Sequence, residues 1–129
     1  MILLDTHALL WMASDPKRLS KRAREAIGTA RQNDGIAVAT ITLWELAWLA
    51  QSARIVVTGS VESFVRETIA RVILRPVTPQ IAALGVRLPK DFPKDPADRL
   101  IAATAMVEGM PLVTADLRIR RSKVVETVW

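Results

Sequence analysis

Four short apolar runs, MILL at 1–4, IAVA at 36–39, ILRPV at 73–77 and PLVT at 111–114, alternate with longer stretches of helical pattern. The runs are mostly apolar at successive residues rather than at every second one, so strands there bury both faces. Strands of that kind separated by helices imply a parallel sheet of four to five strands covered on each side, a three-layer α/β/α arrangement. Helices are expected over 6–13, 20–33, 42–53, 60–72, 79–88 and 95–108, with Ser20 as an N-cap and Gly109 ending the last one. Residues 124–128 form a candidate fifth strand, and 55–58 read as either a strand fragment or a loop. One domain over 1–129 is expected, because a chain of 129 residues with mean hydropathy +0.23 builds a single packed core.

In such sheets ligands bind outside the carboxyl ends of the strands. Four acids stand at or just beyond those ends: Asp5 after MILL, Glu45 after the second run, Asp98 in the DPADR segment, and Asp116 after PLVT. Three of them also suit a purely structural role. Thr42-Leu43-Trp44-Glu45 matches a capping box, Asp95-Pro96-Ala97-Asp98 reads as N-cap, proline and first-turn acid, and Asp116 suits the turn that follows it. Asp5, in MILLDTHALLW, shows no structural need. Four carboxylates in one pocket repel one another unless a cation neutralises them, and an all-oxygen pocket favours Mg²⁺ or Mn²⁺.

The absence of cysteine excludes disulfides, thiol nucleophiles and zinc–thiolate sites, and it fits a reducing cytoplasm. No apolar stretch approaches the ~20 residues of a membrane span, and the apolar start meets Asp5 too soon for a signal peptide. The net charge of +5 around an acidic pocket fits a polyanionic partner such as RNA.

Taken together, LLDTHALLW, TLWEL, DPADRLIAATA and VTADLRI, in that order over nearly the whole chain, resemble the PIN domain and within it the VapC toxins of bacterial toxin–antitoxin pairs. The resemblance implies a compact α/β/α fold and a Mg²⁺- or Mn²⁺-dependent endoribonuclease acting in the cytoplasm. It further implies a homodimer or a hetero-oligomer with a small VapB-like antitoxin. It carries the catalytic and metal-binding roles to Asp5, Glu45, Asp98 and Asp116. Asp5 and Asp98 are then the most direct ligands, Asp116 binds directly or through water, and Glu45 binds a second ion or orients the attacking water. Thr6 and Thr114 become supporting residues, Thr114 through a hydrogen bond to Asp116. The loop LPKDFPK and Ala97 depart from the family pattern, in which a His-containing loop and a Phe are common, and this difference bears on substrate choice.

Lys90, Lys94, Arg99 and Arg118 are candidate RNA contacts, with Arg99 equally suited to pair with an acid. The basic residues 17–24 read as a solvated face. His7, the sole histidine, reads as a partly exposed helical residue. Trp44 and Trp48, four apart on an apolar helix, read as core or interface packing in preference to base stacking. A haloacid-dehalogenase-like phosphotransferase is excluded because His7 stands where a second aspartate is needed. A non-catalytic RNA-binding or regulatory module of the same fold is the alternative, separated from the nuclease by a metal-dependent ribonuclease assay.

Overall fold

The computed structural model describes residues 1–129. Five strands form one sheet: β1 (Ile2–Leu4), β2 (Ile36–Ala39), β3 (Ile73–Arg75), β4 (Leu112–Val113) and β5 (Thr127–Val128). Their order is β3-β2-β1-β4-β5 and every neighbouring pair is parallel. β1 is central; Leu4 lies opposite Val38 on one side and Val113 on the other.

Alternation along the strands sorts the core into two layers. Ile2, Leu4, Ile36, Val38 and Val113 face α1 (Thr6–Ser14) and α2 (Lys21–Gln32), where Leu9, Leu10, Ala23 and Ile27 are buried with them. Leu3, Ala37, Ala39 and Leu112 face the other way, onto Ile101, Ala102 and Ala105 of α6 (Pro96–Glu108). The remaining helices are α3 (Ile41–Gln51), α4 (Val61–Thr68), α5 (Pro79–Arg87) and α7 (Leu117–Ser122). The expected three-layer α/β/α fold is therefore present, with a sheet that is wholly parallel.

Several boundaries differ from those read in the sequence. The helix expected over 60–72 ends at Thr68, because Ala70 and Val72 donate to carbonyls three residues back and tighten the chain into turns before β3. β3 stops at Arg75 because Pro76 has no N–H to continue the ladder. The final strand is only Thr127–Val128, and 55–58 form no strand. The turn after Asp116 is a six-residue helix, α7.

α6 matters most to the site. Asp95 caps it, accepting from the backbone N–H of Ala97 at 2.8 Å and of Asp98 at 3.4 Å, and Gly109 closes it in the left-handed region at φ 67°. Arg99, one turn in, spends its whole guanidinium on the end of α5 and the chain between α5 and α6. Its Nε donates to Pro93 O at 3.0 Å. Its Nη1 donates to Gly85 O and Leu88 O at 3.2 and 3.1 Å, and its Nη2 to Pro89 O and Phe92 O at 3.3 and 3.4 Å. Five N–H groups are all that an arginine has. With Phe92 buried beneath, this clamp shapes a segment that carries no regular structure of its own.

Replacing Arg99 removes a donor from five carbonyl groups at once, of which only Pro89 O keeps another, the Phe92 N–H at 3.0 Å. Arg99→Ala is expected to lower unfolding stability by about 2–4 kcal/mol, and Arg99→Lys to recover only part, since an ammonium cannot reproduce the planar fork. Denaturant titration checks this; a change below about 0.5 kcal/mol, the size of an ordinary surface substitution, would contradict the clamp.

Candidate active site

The carboxyl edge of the sheet opens into a cleft of about 540 Å³ lined by Asp5, Glu45, Asp98 and Asp116. Asp5 arrives from the end of β1, Glu45 from the second turn of α3, Asp98 from the first turn of α6 and Asp116 from the segment after β4. A fifth carboxylate, Asp95, lines the same cleft.

Three of these acids also cap helices, and each does so with one oxygen. Asp5 Oδ1 accepts from Ala8 N–H at 2.8 Å, Asp116 Oδ1 from Arg118 and Ile119 N–H at 2.8 and 3.2 Å, and Asp95 uses Oδ1 for α6. Asp5 therefore has a structural task that its sequence context did not reveal. The capping box expected at Thr42–Glu45 does not form: Thr40 is the cap position of α3, and Glu45 Oε1 instead accepts from the Thr6 hydroxyl. Thr6 and Thr42, both buried, place their hydroxyl oxygens 3.1 Å apart. The Oδ2 atoms of Asp95 and Asp116, Oε2 of Glu45 and both oxygens of Asp98 accept no hydrogen bond from the protein.

The charges resist this arrangement. Burial pushes the Asp98 carboxyl from an ordinary 3.8 up to about 7, helped by repulsion from Asp95, Glu45, Asp116 and Asp5. Burial also raises Glu45; Asp95 and Asp5 add to the rise, while the Thr6 hydroxyl and His7 oppose it. Asp5 is raised by burial above all, against the Thr114 hydroxyl, the Ala8 amide and His7. Sequence reasoning paired Thr114 with the Asp116 carboxylate. The structure sets its hydroxyl beside Asp5 instead, where it also accepts from the Asp116 backbone N–H at 3.1 Å. No three of these carboxylates form a ready-made metal cluster as they stand.

The model of the PIN domain matches residues 2–124. The chain belongs to the PIN-domain family. It is 45% identical to Ribonuclease VapC22 of Mycobacterium tuberculosis over 130 residues, 99% of this chain and 98% of that protein. Among solved structures, VapBC2 from Rickettsia felis bound to a promoter DNA fragment superposes with TM-score 0.74 at 18% identity, covering 98% of this chain and 97% of that one. DNA-bound VapBC from Salmonella typhimurium gives TM-score 0.72 at 20% identity, with 98% and 97% covered. At those identities the two structures show the shared PIN fold.

The candidate RNA contacts of this PIN domain lie on different parts of its surface. Arg99 offers no donor to RNA, since all five serve the clamp. Lys90 and Lys94 line a separate groove beside α5 that contains none of the acids. Arg118 is exposed on α7 and does not line the acid cleft. The arginine that does line it is Arg18, from the stretch read as a solvated face. Trp44 and Trp48 are not core residues: they are 62% and 54% exposed and stack on each other, 6.0 Å between centroids and 4° from parallel. Nothing in the local pattern marked Arg18, Asp95 or Thr42 as site residues; they are brought in by packing across elements.

The raised Asp98 has a measurable sign. Its proton leaves near 3.8 in the unfolded chain and near 7 in the fold, so the stability tied to the neutral form is fully present below the lower value. That stability is lost as pH rises through the upper value. In the presence of a chelator the denaturant midpoint should fall between about pH 5 and about pH 8. Asp98→Asn, which cannot ionise, should fall less. Equal falls in the two proteins would contradict the frustrated carboxyl.

Proposed function

We propose that this PIN domain is a metal-dependent endoribonuclease that hydrolyses RNA phosphodiester bonds, the toxin of a type II toxin–antitoxin pair acting in the cytoplasm. The observation that carries the reading is the convergence of Asp5, Glu45, Asp98 and Asp116 in one cleft, where burial and neighbouring carboxylates disfavour the ionised forms of Asp5, Glu45 and Asp98. The 45% identity to a ribonuclease of the VapC type supports the activity. The neighbouring structures are VapB–VapC complexes, which supports a small VapB-like antitoxin as partner, in a homodimer or a hetero-oligomer.

The donor set fits Mg²⁺, with Mn²⁺ as a substitute. It consists of hard carboxylate oxygens, several without any hydrogen-bond donor, and it contains no thiolate. Asp5 and Asp98 would hold the ion, with Asp116 joining directly or through water. Such an ion supplies charge neutralisation at the phosphate and lowers the pKa of bound water. The protein's own residues do the positioning. Thr6 fixes the Glu45 carboxylate by donating to Oε1, which leaves Oε2 to orient the attacking water or to bind a second ion. Thr114 steadies Asp5 and the backbone of Asp116 together, tying two of the acids to the end of β4.

Asparagine is a good test substitution, because it retains size and also caps helices well. Asp5→Asn and Asp98→Asn should stay folded, each losing at least about 100-fold of RNA cleavage, the scale of one electrostatic or acid–base contribution. Induced expression of the wild-type chain should arrest growth, co-expression of the antitoxin should restore it, and Asp5→Asn should be harmless alone. A wild-type chain that is non-toxic and inert toward RNA with Mn²⁺ would favour the non-catalytic RNA-binding alternative.

A further inference from the structure

Three clefts meet at His7. The acid cleft opens into a second, about 540 Å³, that shares His7, Trp11 and Arg18 with it and is walled by Leu49 and Arg54. A third, about 740 Å³, takes in Arg54, Trp44 and Trp48 and returns to the acids through Glu45 and Asp95. Through these shared residues the three clefts adjoin one another beside the carboxylates.

Arg18 is the only cationic lysine or arginine on the acid cleft. Its guanidinium lies over the Trp11 indole, 4.7 Å from the ring centroid. Trp11 is braced in turn by His7 at 5.8 Å and Trp129 at 5.7 Å. Although carboxylates line the same cleft, Arg18 forms no salt bridge, and its side chain donates no hydrogen bond. Arg54 is equally unpaired, and Asp15, the acid of the second cleft, engages neither. Stacking holds the Arg18 head in place while leaving its N–H edge free, which suits a planar fork for phosphate. An RNA strand approaching five carboxylates meets repulsion, and a fixed cation at the mouth of their cleft offsets it.

We propose that Arg18, held on Trp11, binds an RNA phosphate next to the one cleaved, and that Arg54 binds a further phosphate in the adjoining clefts. The inference rests on the ribonuclease reading and adds the residues that hold its substrate.

The test uses a labelled single-stranded RNA oligonucleotide and full-length protein carrying Asp98→Asn to prevent cutting. Adding Arg18→Ala should weaken binding at least about five-fold and reduce the salt slope of log affinity by about 0.7, the value for one phosphate contact on a single strand. Adding Arg54→Ala should reduce the slope by about as much again. In the otherwise wild-type enzyme Arg18→Ala should raise KM and leave kcat nearly unchanged, and Arg18→Lys should restore the salt slope but only part of the affinity. Arg31→Ala, on exposed α2 surface, is the control. Arg18→Ala binding RNA like Arg31→Ala would overturn the inference while leaving wild-type cleavage intact. If Arg18→Ala instead weakens only antitoxin binding, the residue belongs to the protein interface and the inference is likewise overturned. A wild-type protein that neither binds nor cuts RNA would sink the ribonuclease reading and this inference with it.

Discussion

Parallel pairing throughout the sheet aims every strand's carboxyl end at one edge, and the segments leaving β1, β2 and β4 must pass through the same space. The acids carried by those segments and by the start of α6 are thereby forced together. Ionised carboxylates so placed lose hydration and gain repulsion, and the raised Asp98, Glu45 and Asp5 register that cost. A fold that tolerates it is one whose remaining core, two apolar layers on either side of β1, supplies ample stability.

Helix capping reconciles the two demands on these residues. Asp5, Asp95 and Asp116 each turn one oxygen onto backbone N–H groups at a helix start. The cap fixes the side chain and sets it in the positive field of the helix end, which partly offsets the repulsion. The second oxygen remains available in the cleft. Structural and chemical roles thus fall on two atoms of one side chain, and a capping motif in sequence does not argue against a functional acid.

Much of this was legible from the chain alone. Continuous apolar runs gave the strands of a parallel sheet, and the acids after them were brought into one cleft, as their positions implied. What could not be read depended on contacts distant in sequence. Arg99 looked available for phosphate because nothing local shows that five carbonyls from α5 and the following segment converge on it. Arg18 looked like a solvated charge because its indole partner, Trp11, packs against Trp129 from the other end of the chain. Trp44 and Trp48 read as core or interface packing because α3 is apolar on most faces; only Thr42 and Leu46 of that helix are buried, so the core half of that reading does not hold.

The most direct test is crystallographic: Mn²⁺ diffused into crystals of this chain, with anomalous density measured at its absorption edge. A peak bonded to the carboxylates of Asp5 and Asp98 at about 2.1 Å, the spacing of a small hard cation on oxygen, is the predicted result. It should vanish in Asp98→Asn. Absence of any peak among Asp5, Glu45, Asp98 and Asp116, at a Mn²⁺ concentration that supports RNA cleavage in solution, would contradict a metal site built from the acids at the sheet's carboxyl edge.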